Sequence, residues 1–388
     1  MKKLPTSMLY IALITVSVIC CKTTTSESTR QERNFIAVDS IQSARLQELG
    51  AYLDSTDLSA SVLTVDSLFA LAHQLKYGSR PAHISYMALS ETLDSSSLTK
   101  IVAAFLNPET QNYMQQFQSL EPTAQQYHSL KRHYQRLIRE QKTDSLPGVR
   151  ESLRAFRWMQ RITDSTLVVI NIPSAELFVN QKNGVEKLRM RVIVGSRSHQ
   201  TPSFITFSDE LVTYPYWNVP RSIALKEILP KVKRNIGYLS QNNMQIIDSQ
   251  GNIQNPEALS WADFSVTNFP YRFRQSTGCD NALGLVKFNL KNPYSIYLHD
   301  TNARSLFSRS NRWLSHGCIR LQKPTELANF FLNDEVFDEK FMELCRLNAK
   351  PSTLKLPKPI PVCIVYLLTD VDTSGNLRWN SDVYGWYE

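Results

Sequence analysis

The chain has no CxxC pair, no run of five or more basic residues, no internal repeat and no apolar stretch near the roughly twenty residues a membrane-spanning helix needs. Each absence excludes something. Beyond the N-terminal region the cysteines are Cys279, Cys318, Cys345 and Cys363, and their wide, irregular spacing signals neither a zinc site nor a disulfide framework. No metal and no cofactor is expected. Basic residues outnumber acidic ones, 43 to 35, for a net charge of +8. Without a basic cluster, that excess suits an anionic partner in the cell envelope better than nucleic acid. With 388 residues, 42% of them hydrophobic, the chain can build two domains with real cores and needs no disulfide staples.

The N-terminus carries Lys2 and Lys3, an apolar run from Met8 to Cys21, and then a Ser/Thr-rich stretch. That is the pattern of an export signal over residues 1–20, too short to stay in a membrane as a comfortable span. Val18-Ile19-Cys20-Cys21 resembles a bacterial lipobox, with Cys20 in the place usually held by Gly, Ala or Ser. Cys21 is the candidate lipidation site. The expected location is periplasm-facing, as a lipoprotein of the outer membrane held by its lipid anchor.

Residues 21–36 are polar and read as a flexible tether. From 37 to 165 apolar residues recur at three- and four-residue intervals, as in "VDSLFALAHQLKYG" and "HSLKRHYQRLIREQ", which predicts a helical domain. At Asp164 the period changes to two. "STLVVINI", "AELFVNQKNGVEKLRMRVIVG" and "ELVTYPYWNVP" read as strands, with Asn183-Gly184 as a hairpin turn. The expected fold is α+β, a helical scaffold followed by a mainly β domain over 166–388. A less regular insert at 221–275 opens on the helical "SIALKEILPKVKRN" and carries Tyr238, Trp261, Phe264, Phe269 and Tyr271 beside Lys226, Lys231, Arg272 and Arg274. It is expected to cover an anionic peptide. The chain is expected to end in a hairpin around Asp372-Thr373-Ser374-Gly375.

The stretch "YLHDTNARSLFSRSNRWLSHGCIRL" concentrates the reactive side chains. His299 ends an alternating strand, and Gly317 directly before Cys318 allows a tight bend. Thiolate attack on a carbonyl needs a low thiol pKa, a base within reach and backbone N–H groups facing the developing oxyanion. This stretch is expected to supply all three, and Arg320 offers a planar fork for a carboxylate. An arbitrary histidine and cysteine at this separation are more often structural, so the residues alone leave a packed corner open. Burial is the reading for Cys345 and Cys363.

His299, fifteen intervening residues, then Ser315-His316-Gly317-Cys318 and Arg320 resemble the signature of the L,D-transpeptidases with a YkuD-type catalytic domain. "YPYWNVPRSIALKEILPK", "NALGLVKF" and "NPYSIYLHDT" are similar to the large Gram-negative subgroup, which carries a capping insert and a helical scaffold. The resemblance implies Cys318 as nucleophile and His299 as general base. It gives His316, Gly317, Ser315 and Arg320 to the oxyanion and substrate region, with Trp217 and Asn218 lining or underlying the site. Asp300 beside the base is expected to contribute its backbone carbonyl rather than its side chain, since neighbouring strand side chains point apart. The implied reaction joins peptidoglycan stems: a tetrapeptide donor, release of D-Ala, a thioester, a diaminopimelate amine as acceptor, and 3-3 crosslinks sensitive to carbapenems. Hydrolysis, as an L,D-carboxypeptidase or crosslink-cleaving amidase, is the alternative within the enzyme class. A non-catalytic wall-binding lipoprotein is the alternative outside it. No separate glycan-binding module has room in the chain.

Overall fold

The computed structural model describes residues 42–53, 56–58, 67–90, 93–162, 166–344 and 349–387. The expected signal peptide, tether and lipidation site at Cys21, the change of period at Asp164, and Cys345 fall outside these residues. Among the described residues no helix is long and apolar enough to cross a membrane.

The first half is helical. Residues 42–53 and the helices Leu68–Tyr77, Ser95–Leu106 and Tyr113–Gln118 pack around Leu49, Leu53, Leu75, Leu98, Phe105 and Phe117. Asp94 caps one of them by accepting from the Ser97 N–H at 3.0 Å. Arg157 and Asp57, both fully buried, pair at 2.5 Å and join the helix Leu146–Met159 to this cluster. Helices Gln125–Arg139 and Leu146–Met159 turn Tyr127, Leu130, Tyr134, Leu153, Phe156 and Trp158 onto one face of a large sheet. Their apolar residues fall on one stripe because the spacing matches the helical repeat.

That sheet is mixed. From one edge its strands are Ile84–Met87, Ser203–Thr213, Val286–Phe288, Leu298–His299, Ile319–Leu321, Glu186–Gly195, Glu176–Gln181, Thr166–Asn171 and Ser352–Val365. The last of these also pairs with Ser203–Thr213, so the pairings close into a circuit. Successive residues point to opposite faces. Val168 and Ile170 therefore join an inner core with Val192, Phe288, Leu298 and Ile319, while Val169 joins the helices on the other side. The helix Pro324–Leu332 adds Leu327 and Phe331 to the inner core. The expected α+β architecture and the hairpin at Asn183-Gly184 are present, and Thr369–Val371 pairs with Leu377–Trp379 across the Asp372 turn.

Three features depart from the sequence expectations. Within the helical half, Ile84–Met87 is a strand that pairs in parallel with Ser203 and Ile205. Its partner lies far downstream, so no local period announces it. Cys279 is disulfide-bonded, although the cysteine spacing gave no sign of it, while Cys318 and Cys363 are free. The insert aromatics also serve differently than expected. Phe269 is buried in the insert's own core with Leu225, Leu229 and Phe273, and Trp261, Phe264 and Tyr271 pack against that core. Four strands, Trp217–Asn218, Arg272–Gln275, Met244–Ile247 and Ile253–Gln254, form a small sheet there, beside a helical run from Arg221 to Arg234 that contains a π turn. A compact subdomain with its own core needs those aromatics inside. Only Tyr238 and Lys231, of the residues expected to face a ligand, reach the cleft described next.

Candidate active site

Cys318 sits in the bend between strands Trp313–Ser315 and Ile319–Leu321. Gly317 makes the bend with φ +114°, a conformation costly to any residue with a Cβ. Its carbonyl accepts from Thr201 Oγ1 at 2.7 Å and its N–H donates to Ser315 Oγ at 3.1 Å. Ser315 Oγ in turn donates to the Cys318 carbonyl at 2.6 Å. The loop is thus fixed by its own side chains, and the Cys318 N–H has no hydrogen-bond partner among the described residues. That leaves one donor free for an oxyanion.

His299 is buried, and its Nδ1 lies 2.5 Å from the backbone carbonyl of Asp300. A carbonyl can only accept, so Nδ1 carries the proton and Nε2 keeps its lone pair. The Asp300 side chain is occupied elsewhere: it accepts from the Leu285 N–H at 2.9 Å and from Arg304 at 2.6 Å. Lys287, His299 and Arg320 stand side by side on three adjacent strands, in register. Burial, and then the positive charges of Arg320 and Lys287, push the imidazole down to about 3. The histidine is neutral at any physiological pH.

The Cys318 thiol is pushed up by burial, against the opposing pull of hydrogen bonds from Tyr297 and the charges of Lys287 and Arg320. Its sulfur lies 3.8 Å from the carbonyl of Ser295, which a left-handed backbone at φ +57° presents to it. The low thiol pKa expected from the sequence is therefore not what the fold provides, because burial disfavours the thiolate; with the thiol raised and the base lowered, the resting pair is neutral rather than an ion pair. Burial likewise lowers Lys287, whose Nζ sits 4.3 Å from the centre of the Tyr297 ring. Arg320 Nε is buried with no hydrogen-bond partner among the described residues. An unmet guanidinium donor in a cleft is a natural place for a ligand oxygen.

Cys318, His299, Ser315, His316, Arg320 and Trp217 all line one cleft of about 350 Å³, roofed by insert residues including Ile223, Glu227, Lys231 and Tyr238. His316 Nε2 meets Glu227 Oε1 at 2.8 Å, so the loop that carries Cys318 is tied to the insert's helix. Gly317 contributes backbone only. Asn218 does not reach the cleft: it is exposed, because Trp217 points inward and its strand neighbour must point out.

Sequence reasoning passed over Tyr297, Lys287 and His199. Tyr297 is two residues before His299 in the alternating "YSIYLHD", so the period placed it on the same face as the base. Lys287, an ammonium in the middle of the apolar "GLVKF", was a visible anomaly. His199, whose ring centre lies 4.6 Å from that of His316, had no local signal. Among the described residues no group of three or more histidines, cysteines and carboxylates is arranged to hold a metal ion.

Residues 165–338 match the family model of the YkuD L,D-transpeptidase catalytic domain. A Haemophilus influenzae protein provisionally named an L,D-transpeptidase is 36% identical over 219 residues, 56% of this chain and 44% of that protein. The chain thus spans less than half the length of this curated relative. Among solved structures, L,D-transpeptidase 3 from Mycobacterium tuberculosis is 11% identical, covering 52% of this chain and 60% of that one, with a TM-score of 0.25. The ertapenem-acylated catalytic domain of the Enterococcus faecium L,D-transpeptidase is 10% identical over 52% of this chain and 98% of that one, with a TM-score of 0.22. The matched span contains Cys318, His299, Arg320 and every residue that lines the roofed cleft, so the site lies wholly within the segment similar to the YkuD L,D-transpeptidase catalytic domain.

Proposed function

We propose that this chain is a peptidoglycan L,D-transpeptidase that forms 3-3 crosslinks through a thioester on Cys318. The observation that carries the reading is a free thiol and a neutral, carbonyl-oriented imidazole lining one roofed cleft, with an unmet guanidinium donor beside them. As the sulfur attacks the amide carbonyl of a tetrapeptide stem, its proton passes to His299 Nε2. The Cys318 N–H faces the oxyanion. The C–N bond then breaks, His299 returns the proton to the leaving D-Ala amine, and the acyl group stays on sulfur. A diaminopimelate amine of a second stem, deprotonated by the same imidazole, attacks the thioester and releases the thiol.

A base held this far down is weak in the empty site. Arg320 is one of the charges holding it there. A stem carboxylate paired with the Arg320 fork cancels that field, so the imidazole gains basicity when substrate is bound. Cys318 is then activated in the complex rather than at rest.

The contact between His316 and Glu227 supports a roof that keeps water from the thioester. We further propose that a lipid on Cys21 holds the protein at the periplasmic side of the outer membrane, and that carbapenems acylate Cys318. The deciding experiment incubates purified protein with disaccharide-tetrapeptide and reads the products by mass spectrometry. Crosslinked dimer supports the proposal. Tripeptide alone assigns a hydrolase, and unchanged substrate refutes enzymatic activity on stems.

A further inference from the structure

A second groove, of about 580 Å³, adjoins the loop that carries Cys318. His316 lines both. Tyr294 and Ile296, which line this groove, flank Ser295, whose carbonyl lies 3.8 Å from the Cys318 sulfur. The two spaces share His316 and lie on either side of it.

Their chemistry differs. The roofed cleft is lined by Glu227, Lys231, Asp280 and Arg320, side chains suited to a charged peptide. The described residues lining the second groove include no carboxylate, ammonium or guanidinium. They offer the rings of Tyr294 and Trp386 with His83, and the amide and hydroxyl of Gln200 and Ser85. The rings are set in advance. Tyr294, exposed by 38%, donates its hydroxyl to Ser85 Oγ at 2.9 Å, and Trp386 Nε1 donates to Gln200 Oε1 at 3.0 Å. That leaves the Gln200 amide nitrogen without a partner among the described residues, as a donor. Uncharged aromatic faces rimmed by amide and hydroxyl groups complement a sugar ring, which has apolar C–H faces and a polar edge. His83 and Ser85 come from the scaffold half, so the groove is built across the seam between the two halves.

We propose that this groove binds the N-acetylated sugar backbone adjoining the stem peptide. The proposal rests on the transpeptidase reading and names where the glycan lies. It gives the chain a direct contact with the glycan.

The test titrates the full chain with the peptide-free N-acetylglucosaminyl–N-acetylmuramyl disaccharide and, separately, with the free stem tetrapeptide. The effect of each on Trp fluorescence and NMR shifts is followed. Disaccharide binding that falls tenfold or more in Trp386→Ala and in Tyr294→Ala is expected, with Cys318 alkylation by iodoacetamide retained as a check of folding. Gln200→Ala supplies a milder variant should either ring substitution unfold the protein, with the same direction of change. In parallel, kcat/KM on the disaccharide-linked stem should exceed that on the free stem, and the variants should erase the difference. No disaccharide binding by the wild type overturns the proposal. So does binding that the variants leave unchanged, or free stem peptide occupying the groove, which would assign it to a second stem. Sugar binding without turnover of either stem would uphold the groove and refute only the transpeptidase reading.

Discussion

Acidification should destabilise the native protein through His299 in a way that a single substitution removes. The imidazole is held near 3 in the fold, by burial first and then by Arg320 and Lys287, against an ordinary value of about 6.5. Below about pH 6.5 the unfolded chain takes up a proton that the folded chain refuses, so stability is lost as the pH falls. The slope is about 1.4 kcal/mol per pH unit for one such group, or about 2 kcal/mol between about pH 7.5 and pH 5. His299→Gln carries no titrating group. Urea denaturation of both proteins at the two pH values should show the wild type losing about 2 kcal/mol more than the variant. Site-resolved histidine NMR should find His299 silent down to pH values near its depressed midpoint, and Arg320→Gln should move that midpoint up. Parallel losses in wild type and variant, or an imidazole titrating in the ordinary range, would refute the neutral resting pair. The imidazole would then already be basic in the empty site, and substrate would have no basicity left to restore.

Arg320→Lys keeps the charge and loses the planar fork, so kcat/KM should fall tenfold or more; an unchanged value makes Arg320 structural. Gly284→Ala puts a Cβ 2.2 Å from Asp300 Oδ2 at φ +58°. Left-handed backbone costs about 1–2 kcal/mol and a displaced charge-assisted bond about 1.5–3, so thermal melts should show a loss of roughly 3–4 kcal/mol, and unaltered melting would refute the packing described for Asp300. Asp57→Ala strands the buried Arg157 guanidinium and should cost about 3–5 kcal/mol by denaturant titration, a loss that Asp57→Ala with Arg157→Leu should partly restore. Glu227→Ala frees His316 from the roof and should shift products from crosslinked dimer toward tripeptide; an unchanged ratio by mass spectrometry refutes a role for that contact in excluding water.

The reactive stretch was legible because its elements are local. A strand-ending histidine, a glycine bend and the cysteine lie within one short segment, and alternation aligned Arg320 with its neighbours. The hairpin at Asn183-Gly184 was legible for the same reason. Pairings between distant segments were not. The strand Ile84–Met87 meets Ser203 and Ile205 only in the folded chain, and the four residues "ISYM" are too few for a period to register. Lys287 and Arg320 flank His299 through strand register, which alternation within each strand does not set. The insert's aromatics looked like a ligand-facing surface because a sequence does not distinguish a small core from an exposed patch. Cys279 was misjudged similarly, since one unremarkable cysteine says nothing about what it approaches in space.

The parallel strand Ile84–Met87 also guards against self-association. It occupies one side of Ser203–Ile205, while Ser352–Val365 occupies the other. A fragment cut to begin at the catalytic domain would keep the second partner and lose the first. It would present a bare row of backbone donors and acceptors beside the apolar Phe204 and Ile205, the kind of edge that recruits a strand from another molecule. Such a fragment, made for convenience in drug screening or crystallisation, is therefore expected to oligomerise edge to edge. The scaffold half is best retained in any form of the protein meant to stay monomeric.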